Sequence, residues 1–378
     1  MMLLDRWIAR RFFGNFALVF SVMFLFAVSI DTILQLDAYI EGARLAVRQE
    51  RLPNLAVALP VAIVDYHGPR VFQFFAYMVG LCSVAAAGFT LTQMVRTREI
   101  VAMLAAGLGL WRVGLAIIGV AVALNLLQLV NGEVILPRLA PLLVREHSAI
   151  LQPTVQRFPV KLIEDRDGRL LLASSFDPAT ATATNLVVLE RNERGAAIRR
   201  IEAPRAVWNA ERGGWELENG IASGRSAEAP SGTDAARGPV VGAAVPIDFI
   251  ESDVAPRAIL ARRFRGFAQL LSAPQIGQLA SEGGIDMAAA TRLIGQRFAG
   301  ACVNLLMLVI CLPFFLVREP QKMLRPSVIC AAVAVPGLLG SLFTMTVDLP
   351  NIPATVGVFL PVALLLPVAA WRVGALRS

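Results

Sequence analysis

The chain has 378 residues, of which 56% are apolar and only 17% charged, and its mean hydropathy is +0.63. Soluble domains carry about 25% charged residues, so this deficit argues against a soluble enzyme and for an integral membrane protein. The net charge is +7, and 33 of the 35 basic residues are Arg (35 minus Lys161 and Lys322); they sit mostly beside apolar runs, as topology signals do, rather than forming a nucleic-acid surface.

A spanning helix needs about 20 apolar residues. In chain order, six segments qualify: Phe12 to Ile30, Val71 to Val95, Val113 to Val130, Phe298 to Val317, Ser327 to Val347 and Leu349 to Trp371. The first is too long for a signal peptide and lacks a small-x-small cleavage site. Basic flanks occur at Arg6, Arg10 and Arg11, at Arg96, Arg98 and Arg112, at Arg318, Lys322 and Arg325, and at Arg372 and Arg377. With six spans these four places share one side, which the positive-inside rule makes the cytoplasm, together with both termini. The loop from Asp37 to Arg70 then lies outside. It holds Pro53, Pro60 and Pro69, and its short apolar run Leu55 to Val64 reads as an interfacial approach to the second span.

The middle of the chain, 151–257, changes character. Short β-type runs cover Val160 to Ile163, Arg169 to Ala173, Asn185 to Leu189, Ile198 to Trp208, Trp215 to Ile221 and Val240 to Phe249. Turn signals separate them at Asp165 to Gly168, Asp177-Pro178, Asn192 to Gly195, Glu211 to Gly214 and Pro230 to Gly232. Regular short strands with such turns predict an all-β sandwich, roll or barrel, with Ala222 to Gly238 as a loose loop. From Ser272 the pattern is helical again. Ser272-Ala273-Pro274-Gln275 is a helix start, Gly283-Gly284 ends that helix, and Asp286 opens another that runs into the fourth span past Arg292 and Arg297. The predicted fold is therefore an α-helical integral membrane protein with six transmembrane helices and an all-β extracytoplasmic domain inserted between helices 3 and 4. Its parts are 1–150, 151–257 and 258–378.

The chemistry is sparse. Neither lysine sits in a phosphate-loop setting, and there is no Gly-x-Ser-x-Gly elbow or His-Glu-x-x-His pair. No span carries a carboxylate cluster of the kind that relays protons or ions. Cys82, Cys302, Cys311 and Cys330 lie in apolar runs at no metal-ligand spacing and read as small core residues. His67 and His147 read as isolated surface or interfacial residues, and Asp31, Asp37 and Asp348 as interfacial carboxylates. No cofactor or metal site is expected.

One stretch stands out, Arg96 to Leu108, between the second and third spans. Ile100, Met103, Leu104, Gly107 and Leu108 follow the i, i+3, i+4, i+7, i+8 pattern of a helix face. Glu99 falls in the first turn, where the helix dipole favours a carboxylate. The pattern fits a capped interfacial helix, and it equally fits a helix that docks in a partner's groove.

Three features here resemble the LptF/LptG family of lipopolysaccharide export permeases. Arg98-Glu99-Ile100-Val101-Ala102-Met103-Leu104-Ala105-Ala106-Gly107 is similar to the family's cytoplasmic Ser/Arg-Glu-Leu-x-x-Met-x-Ala-x-Gly helix. Gly132-Glu133-Val134-Ile135-Leu136-Pro137 resembles its Glu-x-x-x-Pro exit from the third span. The layout of three spans, a jellyroll-like periplasmic domain and three spans is also that of the family. The opening Leu4-Asp5-Arg6-Trp7-Ile8 resembles the Leu-Asp-Arg-Tyr start, nearer the LptG type.

The resemblance implies a non-enzymatic permease subunit of the bacterial inner membrane that extracts lipopolysaccharide or a related lipid. Its implied partners are a cytoplasmic ABC ATPase dimer, a second permease half (a different chain or a copy of this one) and a periplasmic bridge protein. It implies ATPase coupling by Arg96, Arg98, Glu99, Met103, Leu104 and Gly107, an exit motif at Glu133 and Pro137, and lateral gates lined by the first and fifth spans. The LptG type carries lysines just after the first span. Here Ile33 to Tyr39 has none, and Arg44, Arg48 and Arg51 stand further on as candidates for lipid headgroups. A structural or sensory membrane protein with a periplasmic lipid-binding module and no ATPase partner is the alternative expectation.

Overall fold

The computed structural model describes residues 3–145, 147–151, 157–165, 167–192, 197–224, 244–263, 266–281, 284–316, 324–347 and 352–377. Several predicted features lie outside the described residues: the flanking Arg318 and Lys322, Asp348, Gly283, the turn residues at 193–195 and 230–232, and most of the loop 222–238.

The chain divides into two compact units, one formed by Met1–Leu139, Leu271–Ala273 and Ala288–Ser378, the other by Ala140–Leu270 and Pro274–Met287. The first is helical. It opens with α1 (Leu3–Leu34), α2 (Leu36–Arg48), α3 (Leu55–His67) and α4 (Arg70–Arg96). These are followed by the short α5 (Glu99–Ala105) and α6 (Leu110–Val130), which continues through a π-type turn at Asn131–Ile135 into α7 (Leu136–Leu143). After the second unit come α11 (Met287–Cys311), α12 (Leu324–Thr346) and α13 (Ala354–Arg377). Among the described residues, six helices are long and apolar enough to cross a membrane: α1, α4, α6 with its continuation, α11 with its extension to Phe314, α12 and α13. They coincide with the six predicted runs, each extended at one or both ends.

Between apolar helices in lipid, association comes from packing and internal hydrogen bonds rather than from excluded water. α1 inserts a stripe of Ile8, Phe12 and Phe16, all buried. Further along, Phe20 and Phe24 meet Phe74 of α4 edge-on, with centroids 5.6 and 5.5 Å apart. Cys82, Cys311 and Cys330 are buried as expected, but Cys302 is exposed, because it lies on the outward face of α11.

The loop expected between the first two spans is instead helical. α2 is amphipathic, burying Tyr39, Ala43 and Ala46. α3 starts at Asn54, whose side chain accepts the Val57 N–H at 3.0 Å, a standard N-cap.

The second unit holds an antiparallel sheet made of β1 (Phe158–Glu164), β2 (Leu170–Asp177), β3 (Thr182–Arg191), β4 (Ala197–Asn209), β5 (Gly214–Glu218), β6 (Ile221–Gly224), β7 (Val245–Pro246) and β8 (Phe249–Glu251). The order is β1-β2-β3-β4-β5-β8, and β6 pairs with both β4 and β7. Inward residues meet across it in register, Leu171 opposite Val188 and Val188 opposite Ile201. Among the described residues Trp215 is the largest fully buried side chain, edge-on to Trp208 at 5.4 Å.

The single run predicted from Trp215 to Ile221 is two strands, because Asn219 takes a left-handed φ of 54° and ends β5. The turns are built by the residues that signalled them. Gly168 has φ +72° between β1 and β2, and Asn209 accepts the Glu211 N–H at 2.9 Å before Gly213 at φ +63°. The unit is completed by α8 (Pro256–Arg263), α9 (Phe267–Leu270) and α10 (Ala273–Ser281), the last at the predicted Ser272–Gln275 start.

Candidate functional site

Among the described residues of the helical unit, four polar clusters stand out. The first is at the arginine-flanked end of the spans. α4 stops at Arg96, and the chain reverses through Arg98, held left-handed at φ 59°. For a residue other than Gly that conformation costs roughly 1–2 kcal/mol. α5 then runs for only seven residues. Gly107 at φ +76° ends it, with the Leu108 N–H returning to the Met103 carbonyl at 3.0 Å in a Schellman-type stop. Gly107 and Leu108 are therefore outside the helix, although the sequence placed them on its face. Ile100 is buried, and Met103 and Leu104 pack against the core of the spans. That apolar stripe faces the chain's own interior. The outward face is Arg98, Val101, Ala102, Ala105 and Ala106.

Glu99 begins α5 and is bound by Arg11 of α1 at 2.7 Å. Arg11 also donates to Gln93 at 3.2 Å and lies over the Trp7 ring. Beside it, Arg112 at the start of α6 meets Asp5 at 3.2 Å. Two ion pairs thus join the first turns of α1 to the reversal between α4 and α6. The Arg11–Glu99 side chains are 23% and 31% exposed, and pairs near the surface contribute about 0.2–1 kcal/mol.

The second cluster lies within the spans and is made of neutral amides. Asn304 of α11 donates to Asn125 at 3.2 Å and to Gln128 at 3.3 Å, both on α6. Gln128 in turn donates to the Ala76 carbonyl of α4 at 2.7 Å. Gly80 makes room for Asn304, since a Cβ there would stand 2.0 Å from its Oδ1.

The third cluster is at the opposite end. Pro137 has no N–H to return to the Glu133 carbonyl four residues earlier, and the helix widens there into the π-type turn, with Leu136 N–H reaching Asn131 O. Glu133 sits in this turn. It pairs with Arg297 of α11 and accepts the Ala273 N–H at 2.9 Å. Arg297 also donates to the carbonyls of Leu271 and, at 3.3 Å, Gly132. The two exit-motif residues thus have different tasks: Pro137 shapes the turn and Glu133 anchors a knot among three chain segments.

The fourth cluster joins α1, α2 and α3. The buried Tyr39 hydroxyl lies 2.9 Å from Asp31 and 2.8 Å from His67, and His67 is 3.3 Å from Asp31. Burial first, then the Asp31 contact, raises the Tyr39 pKa well above its ordinary value. His67 is therefore buried and bonded, not the isolated histidine expected, because α2 and the end of α1 close over the end of α3 that carries it. Arg44 and Arg48 are exposed, one turn apart on α2 opposite its buried face, and Arg51 is exposed just beyond it.

Arg11, Arg297, Tyr39 and Asn304 were not among the expected site residues. Their partners lie far off in sequence, 88 positions for Arg11–Glu99 and 164 for Arg297–Glu133. Only the placement of Arg297 at the outer start of its helix and of Arg11 in the basic flank before the first span was visible beforehand. A family model described as lipopolysaccharide export system permease LptF/LptG matches residues 6–374, nearly the whole chain. No curated protein matches it.

Proposed function

The chain belongs to the LptF/LptG family of lipopolysaccharide export permeases, multi-pass proteins of the inner membrane, and we propose that it is one transmembrane half of an ATP-driven lipid extractor. Both termini and α5 lie in the cytoplasm, as the arginine-rich flanks favour. The sheet unit lies in the periplasm, closes as a jellyroll-like roll and passes lipid to a bridge protein. A second permease half, distinct or identical, completes the cavity, and the first and fifth spans line its lateral gates. Arg44, Arg48 and Arg51 meet the lipid headgroup at the outer surface.

An ABC ATPase dimer grips the reversal from Arg96 to Gly107. Arg96, Arg98 and the outward side of α5 form the contact. Met103 and Leu104 seat the helix on the spans, and Gly107 lets it end abruptly. The observation that carries this reading is the Arg11–Glu99 pair. Through it, a displacement of α5 acts on α1, a gate helix, so that the ATPase biases a two-state element. Glu99 is then a transmitting residue whose charge is spent within the chain.

The test is Glu99→Ala in the reconstituted complex. The variant inserts and binds the ATPase, ATP hydrolysis continues, and lipid export falls about tenfold or more. Export at the wild-type rate refutes the coupling role.

A further inference from the structure

α11 and α12 pass each other antiparallel, and their side chains fix the register. Met307 of α11 meets Gly337 of α12, where a Cβ would lie 2.6 Å from the methionine methyl. Further toward the arginine-flanked end, Phe315 and Ser327 border one cavity. Cys311 lies one turn from both Met307 and Phe315, and Cys330 lies between Ser327 and Gly337 on the facing helix. The two thiols accordingly face each other within hydrogen-bonding reach. Both are buried, and neither is in a disulfide.

A third helix brings a charge to this pair. Arg372 of α13 lies over the Phe314 ring at 4.2 Å and acts electrostatically on Cys311. A cation beside a thiol favours the anionic sulfur through which thiols react, and apolar burial opposes it. The balance keeps the pair reduced in ordinary conditions and reserves its reaction for a small, uncharged oxidant such as hydrogen peroxide.

We propose that Cys311 and Cys330 are a redox-sensitive lock, oxidised by peroxide to a disulfide that staples the fourth span to the fifth. One sulfur attacks the peroxide, the O–O bond breaks, and a sulfenic acid forms as one water leaves. The second sulfur attacks the sulfenic sulfur, the S–S bond forms, and the hydroxyl leaves with the remaining thiol proton as a second water. Two thiols are thus oxidised by two electrons and one peroxide is reduced. Thiol exchange with a cytoplasmic dithiol reverses the bond. The staple has a mechanical consequence. α11 is tied to α6 through Asn304, whereas α12 is a gate helix, so oxidation fixes the gate to the interior and halts export. That consequence rests on the gate assignment under the proposed function, and the bond itself does not.

The test treats the full chain in nanodiscs with hydrogen peroxide, raised until the exposed Cys302 is oxidised. Remaining thiols are alkylated and the digest is read by mass spectrometry. A peptide cross-linked from Cys311 to Cys330 within one chain is expected in the wild type and disappears with dithiothreitol. In Cys330→Ala it does not form, and Cys311 is trapped by dimedone as the sulfenic acid. Absence of the cross-linked peptide in the wild type overturns the site, as does a disulfide found only between Cys302 residues of two chains. In the reconstituted complex, peroxide lowers wild-type export several-fold, dithiothreitol restores it, and the Cys330→Ala complex keeps exporting throughout. Equal loss of export in Cys330→Ala overturns the lock. A disulfide that forms while export continues overturns the lock and the gate assignment of the fifth span, and leaves the bond standing.

Discussion

The knot at Glu133 and Arg297 makes an asymmetric prediction. Arg297→Met removes a guanidinium that serves three acceptors, the Glu133 carboxylate and the carbonyls of Leu271 and Gly132. Glu133→Gln removes a charge and keeps its one oxygen for Arg297, while the Ala273 N–H, which uses the other carboxylate oxygen, turns to water beside this one-third-exposed side chain. Deleting one partner of a buried pair costs about 3–5 kcal/mol. The side chains here are 15% and 33% exposed, so water compensates in part, and Arg297→Met should cost about 2–3 kcal/mol on the same scale. Glu133→Gln leaves Arg297 three neutral acceptors and should cost about 1 kcal/mol, the worth of upgrading one hydrogen bond to a charged one. In the double variant the losses overlap, and it falls short of the sum by roughly 0.5–1 kcal/mol. The assay is denaturant unfolding of the purified chain in detergent, run as a double-mutant cycle. A strictly additive double variant, or a Glu133→Gln loss as large as that of Arg297→Met, refutes this account of the knot.

Two other substitutions probe the interior. Gly80→Ala places a methyl 2.0 Å from Asn304 Oδ1 and should lower stability by about 1–3 kcal/mol through overpacking; adding Asn304→Ala should restore part of the loss in the same unfolding assay. Tyr39→Phe removes the hydroxyl shared by Asp31 and His67 and should cost about 1–3 kcal/mol near neutral pH. The raised Tyr39 pKa means that its neutral form is favoured in the fold. This part of the stability is fully present below about pH 10, where the unfolded phenol is also neutral, and fades as the pH rises above that. Unfolding midpoints followed into alkali should therefore decline more steeply in wild type than in Tyr39→Phe.

The spans were legible because lipid imposes a length: a run such as Val71 to Val95 with no charge in it has few other homes. The helix α2 was not, since its 13 residues mix Asp37, Glu41, Arg44 and Arg48 with apolar ones and stand near three prolines. Its helical face becomes meaningful only when Tyr39 finds Asp31 and His67. In the sheet, turn residues marked the hairpins, but β1 departs from simple alternation. Its register shifts between Val160 and Ile163, and a bulge of that kind depends on the partner strand. Within the candidate site, local chemistry singled out Glu99 at a helix start and Pro137 at a disturbed turn. Their long-range complements, Arg11 and Arg297, carry no local signal, because an arginine beside an apolar run is also what topology alone demands.

The distribution of strong and weak contacts suggests how such a unit can move without coming apart. In the apolar windows of the spans, half of α4 is buried, as are 44% of α11 and 39% of α6, against 22% for α12, 17% for α13 and none for α1. The three most buried helices are also those joined by the Asn125, Gln128 and Asn304 amides, whose alternative in lipid is an unsatisfied polar group. They form a rigid interior. α1 is held at its two ends, by partly exposed ion pairs to α5 and α6 on one side and by the Asp31–Tyr39–His67 hub on the other, with phenylalanine edges between. Partly exposed pairs of this kind cost little to break and re-form, whereas the amide network costs more. A force on α5 therefore meets least resistance along the path from Glu99 through Arg11 into α1, and most along α4. The same sequence that makes α5 a poor free-standing helix, seven residues between a left-handed Arg98 and a left-handed Gly107, would suit it to the proposed role of a lever, since its orientation is fixed by Ile100 in the core and by Glu99 on its neighbour rather than by its own length.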